Sequence, residues 1–264
     1  MKEEIDFSRG GQHMLHSAAL LYFSFTLATV IALVVIAVMS FRNKGVAGVY
    51  LGWTAVLSAA TSVAYNASIF IRNHLAFSIF SSLYFVCIDW MLFFFLIFIF
   101  AYVRGKKTKL TTGALGFFRA YCMFDTLILL INPFQEISIS YIQTSHTVMA
   151  YSYSPQTLWY VHLGMSYVLI ASSLVLLIYK AFKVPRAYAR SYLFLASSII
   201  FLAGVNAAFL INTKEGTIFE LDISLLGYGL AILLCYVVAF IRSKTALVRD
   251  LSHDAFTSMN MGIV

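Results

Sequence analysis

Seven apolar stretches, each close to the roughly 20 residues that cross a bilayer as a helix, constrain this chain more than any other feature. They run over 17–41, 50–71, 75–103, 112–131, 158–179, 191–211 and 219–241. In hydrocarbon every backbone polar group needs a partner inside the protein, so such stretches fold as helices. The expected fold is all-α, a seven-transmembrane helix bundle. Basic residues alternate from gap to gap. Arg42, Lys44, Arg104, Lys106, Lys107, Lys109, Lys180, Lys183, Arg186, Arg190, Arg242, Lys244 and Arg249 fall on one side. Lys2, Arg9, Arg72 and Lys214 fall on the other, and Arg119 lies near the start of the fourth stretch. The positive-inside rule then puts the N-terminus outside and the C-terminus in the cytoplasm. An odd number of spans requires opposite ends, and the charges agree.

Composition excludes several classes. Hydrophobic residues are 61% and charged residues 11%, against about 25% charged in soluble domains. The formal charge of +7 comes from residues that flank spans, which suits anionic lipid headgroups rather than nucleic acid. The N-terminus is acidic (Glu3, Glu4, Asp6) and its apolar run is too long for a cleaved signal, so it reads as a retained first span. Cys87, Cys122 and Cys235 lie within apolar stretches and imply no disulfide framework. Pro133, Pro155 and Pro185 fall in gaps, so the spans are expected to be mostly unkinked, unlike the broken helices of many transporters.

Asn132 to Thr157 is the longest outer connection. Asn132-Pro133 is expected to stop the fourth span. Ile137, Ile139 and Tyr141 alternate with serines, and Tyr151 and Tyr153 do the same, a period of two that predicts a β-hairpin across the outer mouth of the bundle. Past Arg242 the pattern becomes amphipathic. Leu247, Leu251 and Ala255 recur at helical spacing, with Met259 a turn further on, so the last span is expected to continue as a cytoplasmic helix. Leu247, Leu251 and Met259 are its candidate signal-relay residues. Asn260-Met261-Gly262-Ile263-Val264 reads as the entry to a strand.

Ionisable residues inside spans are costly and mark candidate functional sites. Asp89 lies near the middle of the third stretch and Asp125 in the outer half of the fourth, where neighbouring helices can bring them together. Asn66, Asp89, Asp125, His162, Tyr167, Asn206, Glu220 and Asp222 are the candidate lining of an outer-half ligand pocket. Solvation at the interface, or a hydrogen-bonded contact between helices, is the competing reading of each. Ile88-Asp89-Trp90 and Phe124-Asp125-Thr126 lack the Tyr-Asp and Gly-x-Gly-Asp contexts of intramembrane aspartyl proteases. The seventh stretch has no lysine for a retinal Schiff base. Ser252-His253-Asp254 has neither a dimerisation hairpin nor an ATP-binding region after it, which argues against a phosphoacceptor histidine. His13, His16, His74 and His146 show no metal-ligand spacing, and no cofactor or catalytic residue is expected.

Leu221-Asp222-Ile223-Ser224, Gly227-Tyr228-Gly229 and the close on Ile241-Arg242 resemble the last helix of the bacterial seven-helix sensor regions found at the N-terminus of histidine kinases and related signalling proteins. Leu247-Val248-Arg249-Asp250-Leu251 and Met259-Asn260-Met261-Gly262-Ile263-Val264 resemble that family's linker into a PAS domain. The Asn132 region, Tyr160-Val161-His162 and Ser166-Tyr167 resemble family positions around the fourth and fifth helices. The chain departs from the family in having Pro133 after Asn132, where the family often shows His soon after Asn, and no proline in the sixth stretch, which instead carries Val205-Asn206. The resemblance implies a sensor domain over 1–241 and a signalling helix over 242–264 leading into a PAS-like domain. It also implies a kinase or diguanylate cyclase output beyond this chain, a homodimer, and an unidentified small-molecule or membrane-derived ligand in a bacterial plasma membrane. A small ion-coupled transporter using Asp89 and Asp125, and a membrane partner whose tail docks another protein, are the alternatives.

Overall fold

The computed structural model describes residues 2–43, 45–104, 113–144, 150–215 and 221–242. The helices are α1 (Lys2–Arg42), α2 (Val46–Phe70), α3 (His74–Arg104), α4 (Gly113–Gln135), α5 (Thr157–Lys183), α6 (Arg186–Glu215) and α7 (Ser224–Tyr236). All seven contain a segment long and apolar enough to span a membrane, α7 together with the turns that follow it. Strands β1 (Ile139–Gln143) and β2 (Tyr151–Pro155) lie between α4 and α5. Glu220, Leu247, Leu251 and Met259, and the 242–264 signalling helix beyond its first residue, lie outside the described residues.

Which helix takes the centre follows from burial. In α3, 67% of the spanning segment is buried, against 28% in α1 and α5. Helix α3 accordingly packs against α2, α4 and α5, while α7 packs against α1, α2 and α6, and α5 against α6. The outer faces carry exposed Leu20, Phe25, Phe70, Phe117, Phe124, Val175, Phe182 and Phe201. In water such a surface would aggregate; here it is the lipid face.

Lipid tails are as apolar as leucine, so close packing and interhelical hydrogen bonds hold the helices together. Helices α2 and α3 pack together and both bury small residues, among them Ser58, Ser62, Ser78, Ser81 and Ser82. Glycine sets the closest approaches. A Cβ on Gly52 would fall 2.7 Å from the Phe41 ring, and one on Gly229 would fall 2.2 Å from Thr29 Cγ2. Gly229 thereby fixes the approach of α7 to α1.

The hairpin lies between α4 and α5 with the expected period of two. β1 and β2 pair antiparallel, with Tyr141 opposite Tyr153 and Gln143 opposite Tyr151. Ile139, Tyr141 and Tyr151 are buried, while Ile142 faces outward. Phe77, in the first turn of α3, packs on the rings of Tyr141, Tyr151 and Tyr153. The Tyr151 hydroxyl donates to the Arg72 carbonyl at 3.0 Å. The hairpin therefore closes over the start of α3.

One expectation about helix geometry is corrected. Helix α4 does not stop at Asn132-Pro133; it runs through Pro133 to Gln135. The missing proline N–H falls within the last turn, and the Glu136 N–H closes that turn onto the Asn132 carbonyl at 2.8 Å. Glu136 then takes φ 49°, the left-handed conformation that usually ends a helix on glycine. At the end of α7, Val237–Arg242 is π-helical. No proline is involved, since a π-turn needs only a shift of the hydrogen-bond ladder by one residue.

Candidate functional site

Three ionisable side chains converge where α3, α4 and α5 meet. Asp89 comes from the middle of α3, Asp125 from α4 and His162 from the second turn of α5. All three are buried, with Asp89 at 0% exposure. His162 Nδ1 lies 2.6 Å from Asp125 Oδ2 and 3.4 Å from Asp89 Oδ1. The Tyr121 hydroxyl donates to Asp125 Oδ2 at 3.2 Å from one turn earlier on α4. Phe85, one turn before Asp89 on α3, sets its ring edge-on to the His162 imidazole, with centroids 5.4 Å apart. A single ring N–H can satisfy one acceptor well, and Asp125 takes it. Both carboxylate oxygens of Asp89 are consequently buried without a well-formed hydrogen bond.

The seam below is stitched. Trp90 Nε1 donates to Thr126 Oγ1 at 3.0 Å, and Thr126 Oγ1 donates to the Cys122 carbonyl at 2.7 Å. The Cys122 thiol reaches the Asp89 carbonyl at 3.9 Å. These contacts fix α4 on α3 and hold the two carboxylates in register.

The other candidate residues sit in separate interhelical contacts. Asn66 accepts from Thr26 Oγ1 at 3.2 Å and donates to the Ser62 carbonyl at 2.7 Å, tying α2 to α1. Tyr167 donates to Asn206 Oδ1 at 2.9 Å, tying α5 to α6. Asp222, just before α7, is surrounded by tyrosines from three helices. The Tyr22 hydroxyl donates to its carbonyl and its N–H donates to the Tyr65 hydroxyl, both at 2.8 Å. The Tyr84 hydroxyl donates to its carboxylate. Its other carboxylate oxygen accepts the Ser224 N–H at 2.9 Å and the Ser224 hydroxyl, at the first residue of α7.

Asn132 was expected to stop the fourth span and to lie in a stretch that resembles family positions, not to bond the hairpin. It is buried and fully used. Its Oδ1 accepts the N–H groups of Ser138 and Ile139 at 2.8 and 3.0 Å. Its Nδ2 donates to the Ile139 carbonyl at 3.0 Å and to the Tyr141 hydroxyl at 3.3 Å. Burial pushes the Tyr141 phenol up to about 12, so it stays neutral in this contact. An asparagine before a proline, followed by alternating residues, was the available signal. Asn132→Ala is expected to strand three backbone polar groups, cost on the order of 3 kcal/mol, and expose the hairpin to proteolysis. Limited digestion of wild type and variant in detergent checks this; equal cleavage rates would contradict it.

A seven-helix membrane bundle, closed at one end by a small hairpin and carrying buried ionisable groups beneath it, defines a class of multi-pass membrane protein. Within that class the chain matches the family described as the N-terminal 7TM region of histidine kinase, over residues 25–247, and belongs to it. The match makes it a membrane sensory module, a region that is not itself catalytic. No curated protein matches the chain.

Proposed function

We propose that this region reads a signal from the outer side of a bacterial plasma membrane and passes it through α7 to a cytoplasmic histidine kinase or diguanylate cyclase domain. The hairpin end is the outer end in this reading, in keeping with the charge pattern of the gaps. The observation that carries it is the Asp89–Asp125–His162 cluster, polar groups buried between three helices at a cost that packing alone does not require. A ligand or membrane condition acting there has to favour one of two helix arrangements, because equal affinity for both shifts nothing. The Asp222 contacts join the start of α7 to α1, α2 and α3, which supports α7 as the element that carries the change. The chain past Arg242 acts as the signalling helix, and the full protein works as a homodimer among membrane lipids.

The test uses the full-length protein in its own membrane. Asp89→Asn and His162→Gln are expected to alter output activity by on the order of 5- to 150-fold, the usual range of coupling between sites. Output that matches wild type for both, at equal membrane levels, would sink the reading. The clustering of Asp89 with Asp125 also suits an ion-coupled carrier. Solute flux in proteoliposomes that is lost on Asp89→Asn would favour that alternative.

A further inference from the structure

We propose that Asp89, Asp125 and His162 bind a divalent transition-metal ion of the zinc type. The inference adds a ligand to the cluster used in the sensory reading, but it stands on the side chains whether or not the ion is the signal. One ligand atom from each residue can be chosen so that all lie within 4.8 Å of one another. Tetrahedral coordination at 2.0–2.2 Å puts donor atoms about 3.4 Å apart. His162 Nδ1 and Asp89 Oδ1 already have that spacing, at 3.4 Å. Nδ1 and Asp125 Oδ2, at 2.6 Å, need to part by less than an ångström once the proton between them is replaced by a metal.

Two further observations point the same way. The Asp89 carboxylate is fully buried, and neither of its oxygens makes a well-formed hydrogen bond. Such a group is expensive to bury in an apolar interior unless something positive or protonic meets it. Among the described residues, His162 is the only basic side chain in ion-pair range of Asp89 or Asp125. With both carboxyls ionised, a single imidazolium leaves one negative charge over, whereas a doubly charged ion balances both carboxylates with the imidazole neutral.

The donor set selects the ion class. One nitrogen and two carboxylates suit zinc, manganese, iron or cobalt. Calcium takes six to eight oxygens, and magnesium keeps a shell of several waters. Three protein ligands leave a fourth position open. The Tyr121 hydroxyl, bonded to Asp125, serves as the outer partner that orients a ligating carboxylate.

The experiment uses the whole chain in lipid nanodiscs, stripped with a chelator and then equilibrated with Zn²⁺ or Co²⁺. The expected result is about one zinc per chain by elemental analysis, together with the visible absorption of four-coordinate Co²⁺. Asp89→Asn and His162→Gln are expected to lose both signals, and Tyr121→Phe to weaken affinity by about 10- to 100-fold. Far-UV circular dichroism and elution volume establish that each variant is folded. Wild type that takes up no stoichiometric zinc would overturn the proposal, as would zinc retained at wild-type affinity by both ligand variants. Output measured on the full-length protein with and without zinc separates the two readings. Stoichiometric zinc with unchanged output leaves the metal site standing and removes the ion as the signal.

Discussion

Asp222→Ala is expected to lower the stability of the bundle by on the order of 3 kcal/mol, whereas Asp222→Asn is expected to cost about a third of that. The alanine leaves the Tyr84 hydroxyl and the Ser224 N–H facing a space without an acceptor. Buried donors in that position lose their water partners and gain nothing in return. Asparagine keeps an oxygen for Ser224, and the Tyr84 hydroxyl can turn round and accept from the new amide. The backbone contacts with Tyr22 and Tyr65 survive both changes. Thermal unfolding in detergent reads the difference as two separated midpoints below wild type. Alanine and asparagine variants that unfold together would mean that the side chain of Asp222 does not hold the start of α7.

Gly229 should prove comparably sensitive, for a steric reason. Gly229→Ala puts a methyl group 2.2 Å from Thr29 Cγ2, where carbon atoms prefer about 3.5–4.0 Å. Thr29 is not free to swing, because its hydroxyl donates to the Phe25 carbonyl at 2.8 Å. The expected cost is about 1–3 kcal/mol from overpacking, and Gly229→Leu should prevent accumulation of folded protein. Thr29→Ser removes the clashing methyl and keeps the hydroxyl. Combined with Gly229→Ala it should recover most of the loss. A double-mutant cycle on melting temperature measures that coupling directly, and strict additivity would refute the contact.

The seven spans were legible because their signal is local. Twenty apolar residues in a row declare a membrane helix without reference to the rest of the chain. The hairpin was legible for a similar reason, since Ile139, Tyr141, Tyr151 and Tyr153 carry a period of two on the page. The site was legible only as types of residue. Asp89, Asp125 and His162 stand out one by one as ionisable groups in apolar surroundings. Their convergence depends on how three helices rotate against one another, and no spacing motif records that. The same holds for Asn66, Tyr167 with Asn206, and Asp222, which the structure ties to Thr26, to each other, and to a set of tyrosines. Pro133 and the π-helical turns at Val237–Arg242 escaped because both depend on a local choice of hydrogen-bond partner.

Those π-helical turns have a consequence for how the last helix is read as a wheel. A π-helix bonds residue i to i+5 and takes more residues per turn than the 3.6 of an α-helix. The azimuth at which the chain leaves Arg242 is therefore out of phase with the faces of α7 that meet α1, α2 and α6. Each one-residue step between the two ladders turns everything downstream by about 100° around the axis. A helical wheel drawn without interruption from Gly229 through Arg242 assigns the wrong sides to the last residues of that stretch.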